Sequence, residues 1–160
     1  MKSNSERSLL LLLLSAAFAI VMVPLQAHAS PCSNVGQAGS WAYTYVGTIF
    51  TPGGPVPAAS VGHFNQDAAG NIIGSQARSV AGSSGIEDIT GNVTVNRDCT
   101  ATATINVLVD GVLQRTAVLA LVYDNNKNHA RMIFQSLTLP DDTNVPVVLT
   151  IDANRLFSKD

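Results

Sequence analysis

Charged residues are scarce in this sequence, and neither sign of charge is concentrated. Of the 160 residues, 12% are charged, and the 9 Lys and Arg residues occur singly along a chain with a net charge of -2. Proteins that bind nucleic acid rely on clusters of basic side chains to contact phosphate groups. We therefore expect no nucleic-acid partner.

The sequence also lacks the motifs of common catalytic and cofactor sites. A serine hydrolase places Gly-x-Ser-x-Gly between a strand and a helix, whereas residues 82–85 read Gly-Ser-Ser-Gly, which predicts a turn. No glycine-rich loop precedes a helical segment, so a phosphate-bearing cofactor is not expected. Beyond residue 29 the histidines are His63 and His129, too few to supply the ligands of a zinc site. The sequence predicts neither a metal site nor a cofactor.

The first 29 residues have the organisation of a secretory signal peptide. Lys2 and Arg7 precede an apolar run over residues 9–23, and residues 27–29 form the small-x-small cleavage sequence Ala-His-Ala. The run is shorter than the roughly 18 to 20 residues of a membrane-spanning helix, which disfavours a retained anchor. We expect cleavage after Ala29, a single domain over residues 30–160, no membrane span in the mature chain, and a secreted or periplasmic protein.

The sequence has two cysteines, Cys32 and Cys99, and both belong to the expected mature chain. An even pair in an exported protein most simply forms one disulfide. A redox-active or nucleophilic thiol is the alternative, but neither cysteine lies in a Cys-x-x-Cys motif. We expect a structural disulfide between Cys32 and Cys99.

Helical patterns are missing beyond the signal peptide, and short alternating segments separated by turn residues recur instead, which is typical of β-strands. Asp110-Gly111 favours a type I′ hairpin turn, whereas residues 51–57, rich in Gly and Pro, predict a loop. The eight predicted strands span residues 40–50, 60–65, 72–80, 89–95 (with 86 as an alternative start), 100–109, 112–123, 130–139 and 147–156.

Eight strands with short connections leave no room for crossover helices, so sequential antiparallel pairing is expected. Such a meander forms either a closed barrel or a β-sandwich, and closure removes both exposed edges. We therefore expect an all-β, eight-stranded antiparallel up-and-down barrel, with the sandwich as the alternative. No helix longer than about three turns is expected between Trp41 and Leu156.

Several short motifs spread across nearly the whole expected mature chain. They are Cys32, Gly39-Ser40-Trp41, Gly62-His63-Phe64, the turn from Asp67 to Asn71, the segment from Gly91 to Asn96, and Asp98-Cys99-Thr100. Together they resemble those of small exported bacterial proteins with calycin-like barrels, and among these the allene oxide cyclase-like group. The resemblance implies the fold but carries over no catalytic residue, because no motif of the cyclases places one here.

The barrel interior is the candidate binding site, because eight strands enclose space for packed side chains or for one small ligand. Alternation places Trp41, Tyr43 and Tyr45 on one face of the first strand, and Phe64 on the second is a further candidate. Core filling is the alternative role of these aromatic side chains. Glu87 is the fifth candidate: projecting into a barrel mouth, it would have a raised pKa suited to proton transfer, whereas a solvated turn acid is the alternative.

Other polar side chains are less informative. If Phe64 faces inward, alternation places His63 in solvent. Arg78 and Arg131 lie within predicted strands, where a charge either points outward or is paired inside, and the sequence leaves both open.

Two functions fit these features. The first is an exported module without catalytic activity that binds a small apolar ligand or presents its loops to a partner. The alternative is an allene oxide cyclase-like cyclase or isomerase that orients a small apolar substrate in the barrel cavity. A charged side chain inside the cavity, Glu87 or Arg78, would favour the enzyme. An outer-membrane barrel is disfavoured, because the later strands have few aromatic residues for interfacial girdles.

Residues 117–123 are apolar on both strand faces. The outer wall of a closed barrel contacts water, so this strand is expected to be covered outside by the N-terminal segment or by another subunit. We expect a homo-oligomer.

Overall fold

The structure is a computed structural model that describes residues 32–124 and 127–156. The expected signal peptide, residues 1–29, lies outside the described residues. A four-residue helix and eight strands follow: α1 (Asn34–Gln37), β1 (Gly39–Thr51), β2 (Gly54–Gln66), β3 (Asn71–Val80), β4 (Ser83–Val95), β5 (Thr100–Val109), β6 (Val112–Asp124), β7 (His129–Thr138) and β8 (Val147–Arg155). No helix among the described residues is long and apolar enough to cross a membrane.

Each strand pairs antiparallel with the next along the chain, and β1 also pairs antiparallel with β8, so the sheet closes into a barrel. The predicted all-β, eight-stranded up-and-down barrel is confirmed, and the sandwich alternative is wrong. Across the described part of residues 41–156 no helix of more than three turns interrupts the strands, as expected.

Alternation along the strands separates the inside of the barrel from its outer wall. On β5, Ala101 and Ala103 are buried while Thr100, Thr102 and Thr104 are exposed, as the sequence predicts. A pleated strand sends successive side chains to opposite faces, and the small alanines suit a narrow interior that larger side chains from other strands must share.

The predicted loop over residues 51–57 is wrong, because β2 begins at Gly54 and contains Pro55 and Pro57. Both prolines pair with β1, but the pairing of β2 with β3 starts only at Ala58. The Pro57 carbonyl accepts from Ala81 N at 3.0 Å, so the position of its missing N–H faces the end of β3 rather than β1. Proline is tolerated in a strand where no partner requires its N–H.

Four connections form one end of the barrel, here called the open end: residues 52–53, 81–82, 110–111 and 139–146. Asp110 and Gly111 both have positive φ, 51° and 77°, as the predicted type I′ turn requires. The predicted break over residues 82–85 is shorter than expected, because β4 already begins at Ser83.

The opposite end, here called the closed end, is covered by α1. Trp41 Nε1 donates to the Gln37 carbonyl at 3.1 Å, and the Arg155 guanidinium donates to the carbonyls of Gly36 and Ala38, both at 3.0 Å. Asn34 accepts from the backbone N–H of Val95 at 2.9 Å. These bonds fix the helix against both ends of the strand meander.

The predicted disulfide joins Cys32 to Cys99, directly before β5. It closes a loop with a sequence separation of 67 residues and holds the segment before α1 at the closed end. In the chain-entropy model, such a loop stabilises the folded state by about 4 kcal/mol.

A candidate ligand-binding cavity in the barrel

A cavity of about 270 Å³ occupies the barrel interior. Aliphatic side chains from most strands form its wall, among them Ile72, Ile89, Leu119, Met132, Leu149 and Ile151. Toward the open end its lining includes Ile49, Val80, Leu139 and Val145. Its volume lies just below the roughly 300 to 1,000 Å³ typical of sites for small organic molecules.

Aromatic side chains form the floor of the cavity at the closed end. Phe64 stacks on Trp41 with ring centroids 6.2 Å apart, and the tilted ring of Tyr123 packs against Trp41 with centroids 5.8 Å apart. The Arg155 guanidinium lies 5.0 Å from the Trp41 ring centroid, a cation–π contact. Burial raises the pKa of Tyr123 to about 12, so its hydroxyl is neutral. Trp41 lies beneath the cavity, whereas Phe64 lines it.

A polar row crosses four neighbouring strands. The register places Tyr43 opposite Gly62, Gly62 opposite Gln76, and Gln76 opposite Glu87. Because Gly62 has no side chain, the ring of Tyr43 lies over it, and the Tyr43 hydroxyl donates to Gln76 Oε1 at 2.8 Å. Ser60 donates to the same oxygen at 3.1 Å, and Gln76 Nε2 donates to Glu87 at 2.7 Å.

Glu87 accepts hydrogen bonds from two arginines besides Gln76. Arg115 donates to it through Nη1 at 2.8 Å and Nη2 at 2.5 Å, a bidentate pair, and Arg78 donates through Nε at 2.5 Å. The carboxylate side chain is 1% exposed, whereas those of Arg78 and Arg115 are 28% and 19% exposed. Both arginines line the cavity, and Glu87 lies behind them. We call Glu87, Arg78, Arg115 and Gln76 the charged cluster.

The charged cluster keeps its formal charges at neutral pH. Burial alone would raise the pKa of Glu87, but hydrogen bonds and charge from Arg115, with hydrogen bonds from Gln76 and Arg78, lower it overall. Burial opposes ionisation of Arg115, yet its bonds to Glu87 raise its pKa. Burial raises the pKa of Tyr43 and of Tyr45, so both phenols stay neutral. Two guanidinium groups against one carboxylate leave the cluster with one net positive charge.

Three of the five predicted site residues, Tyr43, Tyr45 and Phe64, line the cavity, while Trp41 and Glu87 lie directly behind its wall. The alternative that Glu87 is a solvated turn acid is wrong, since it lies inside β4 and is buried. The expected rise in its pKa is also wrong, because two arginines flank the carboxylate.

Sequence reasoning missed Arg115 and Gln76. The strand alternation could have predicted that Arg115 points inward, because Arg115 lies on the same face of β6 as Ala117 and Leu119, which are both buried. The same criterion resolves the two open arginines, since Arg78 points inward and the Arg131 side chain is 69% exposed.

His63 is exposed, as expected. Among residues 32–124 and 127–156, no group of three or more His, Cys, Asp or Glu side chains is arranged to hold a metal ion.

No protein-family model matches the sequence, and no curated protein shows significant sequence similarity to it. Solved structures do resemble the fold. One is EF1p2_mFAP2b bound to DFHBI, with a TM-score of 0.54 and 12% identity over 76% of this chain and 98% of that chain. Another is a redesigned β-barrel, mFAP1, also bound to DFHBI, with a TM-score of 0.49 and 19% identity over 77% of this chain and 100% of that one. At these identities the likeness concerns the fold alone.

Proposed function

We propose that the protein is an exported binding protein whose barrel holds a small, largely apolar molecule. The observation that carries this proposal is the cavity of about 270 Å³, which has an apolar wall and one polar cluster. Ligand sites combine these two features, because apolar contacts supply affinity and a few fixed polar groups supply orientation. The structure of EF1p2_mFAP2b bound to DFHBI is consistent with a barrel of this fold accommodating a small ligand.

A secreted or periplasmic location and a calycin-like, allene oxide cyclase-like affiliation are parts of the same proposal. The signal-like residues 1–29 and the disulfide Cys32–Cys99 support the location, since disulfides persist in oxidising compartments. The affiliation rests on the short motifs, two of which contribute to the site: Trp41 supports Phe64 from beneath the cavity, and Gly62 makes room for Tyr43. Mass spectrometry of the exported protein is expected to find Ser30 at its N-terminus.

An allene oxide cyclase-like cyclase or isomerase is the second candidate. The charged cluster favours it, because Arg78 and Arg115 lie in the cavity wall. A general base needs a free lone pair and a pKa near the working pH, but Glu87 is occupied by three donor side chains and its pKa is lowered. Simple binding therefore fits the geometry better than proton transfer.

Dye binding tests the cavity directly. The neutral dye N-phenyl-1-naphthylamine is expected to fluoresce on binding to the mature protein, and Ala103→Leu is expected to abolish the signal. Ala103 lines the cavity and is 1% exposed, so the added side chain would fill it. Thr104→Leu is the matched control, because Thr104 is exposed on the outer wall.

Equal dye binding by the Ala103 variant and the wild type would contradict an interior site. If the dye binds inside the barrel, mass spectrometry of small molecules retained by the purified protein identifies the ligand class. The identified ligand is then incubated with the purified protein. Recovery of the ligand unchanged supports the binding function, and recovery of an isomer of the ligand supports the enzyme.

A further inference from the structure

The charged side chains of the cluster that line the cavity are both arginines, which only donate hydrogen bonds. Arg78 and Arg115 line the cavity, and the Glu87 carboxylate lies behind them with its side chain 1% exposed. Tyr43 donates its hydroxyl proton to Gln76 and is itself neutral. No Asp or Glu from the described residues lines the cavity. The cavity therefore faces one net positive charge with no acceptor of matching charge.

Arg78 has unused donors. It donates to Glu87 through Nε alone, whereas Arg115 uses both of its terminal nitrogens. Within the part of the chain that the structure describes, neither Nη group of Arg78 has a hydrogen-bond partner, and its side chain is 28% exposed. A guanidinium edge of this kind binds a carboxylate through two parallel hydrogen bonds.

We propose that the ligand is an amphipathic monocarboxylate whose acid group binds the free edge of Arg78 and whose apolar part fills the cavity. This inference rests on the proposed binding function and adds the chemical class of the ligand. A single negative charge balances the single net positive charge, whereas a doubly charged phosphate would leave an uncompensated charge in an apolar environment, which is costly.

The position of Arg78 also gives the ligand a direction. Arg78 lies two residues before the end of β3, at the open end, whereas Ile72 and Val93 line the cavity near the closed end. The carboxylate therefore faces the open end, and the apolar chain points toward Phe64 and the aromatic floor.

Displacement of N-phenyl-1-naphthylamine by octanoate and by 1-octanol tests this inference, since the two compounds share a chain length and differ in charge. The wild type is expected to bind octanoate at least about tenfold more tightly than octanol, because the bonds to Arg78 are charge-assisted. Arg78→Gln is expected to remove this preference, so that octanoate and octanol displace the dye equally well from the variant. Arg131→Gln is the control, because the Arg131 side chain is 69% exposed.

A second variant covers the case in which Arg78→Gln fails to fold. Arg78→Lys keeps the charge opposite Glu87 but loses the planar edge, so the preference for octanoate over octanol is expected to fall several-fold. Equal affinity of the wild type for octanoate and octanol would overturn the inference and leave the binding function standing. Failure of the dye and of both compounds to bind would overturn both.

Discussion

Gly62 illustrates how one residue positions the candidate site. A Cβ atom at this position would lie 2.7 Å from Tyr43 Cζ and 2.7 Å from the Ser75 carbonyl oxygen. Gly62→Ala is therefore expected to displace the Tyr43 ring, break its bond to Gln76, and lower the free energy of unfolding by about 1 to 3 kcal/mol. Urea unfolding measures this change. Gly85→Ala is the control, because no atom lies within 4 Å of a Cβ there, and an equal loss in both variants would contradict the steric explanation.

Glu87 is the residue on which the charged cluster depends. Glu87→Gln would leave Arg78 and Arg115 facing each other without a counter-charge, so the free energy of unfolding is expected to fall by about 2 to 4 kcal/mol at neutral pH. Because the pKa of Glu87 is lowered in the folded state, its contribution is present above the ordinary glutamate value of about 4.3 and is lost as the pH falls through the lowered folded value. Unfolding measured at successively lower pH should bring the wild type and the variant together. Asp88→Asn, on the outer wall, is the control.

At the level of single strands, alternation predicted β5 with its bounds but gave an incomplete picture of β6. On β5 threonine and alanine alternate, so hydropathy distinguishes the two faces. On β6 both faces are aliphatic over residues 117–123, and only the phase of Leu119 with Arg115 shows that the arginine points inward. The prolines of β2 led to the wrong prediction of a loop. The sequence does not reveal that β3 pairs with β2 only from Ala58 onward, so that no neighbouring strand requires an N–H group at Pro57.

The charged cluster itself could not be predicted from the sequence. Glu87, Arg78 and Arg115 lie on three different strands, and their contact depends on the stagger of the closed sheet rather than on sequence spacing. Alternation can show that each side chain points inward. It cannot show which of the inward-facing charges meet.

His129 links β7 to the two strands beside it. Its Nδ1 contacts Asp124 on β6, and its Nε2 lies 2.8 Å from Asp152 Oδ2 on β8. Hydrogen bonds that the protonated ring donates to Asp152 and Asp124 raise the pKa of His129. A raised folded pKa stabilises the protein fully below the unfolded value of about 6.5, and this stabilisation is lost as the pH rises through the folded value.

The urea midpoint is therefore expected to fall as the pH rises above about 6.5, and His129→Gln should remove this part of the dependence. His63→Gln is the matched control, because His63 is exposed on β2. An unchanged pH dependence in the His129 variant would refute the contribution of this contact.

On the scale of the whole molecule, the outer wall includes apolar side chains that water would contact. Val122 is 43% exposed and Ile133 is 47% exposed, while Val118 and Ala120 are half-buried. Covering an aliphatic side chain of this kind contributes roughly 1.5 to 3 kcal/mol. This contribution would favour the homo-oligomer predicted from residues 117–123, which remains a prediction. Light scattering of the cleaved protein measures its oligomeric state. Val122→Thr should weaken assembly, whereas a strictly monomeric wild type at high concentration would contradict it.

Closure of β1 on β8 brings the two chain ends of the barrel together. Leu156 N donates to the Ser40 carbonyl at 2.9 Å, and Trp41 pairs with Arg155. The order of the strands is therefore cyclic, so the same closed sheet can form from a chain that begins at a different connection between strands. A circular permutant that joins residue 156 to residue 32 through a Gly/Ser linker and opens between Asp110 and Gly111 should fold with the same circular dichroism and one cooperative transition. A permutant opened between Gly74 and Ser75, inside β3, should lose that cooperativity, because it divides a strand that pairs with both β2 and β4 in the closed sheet.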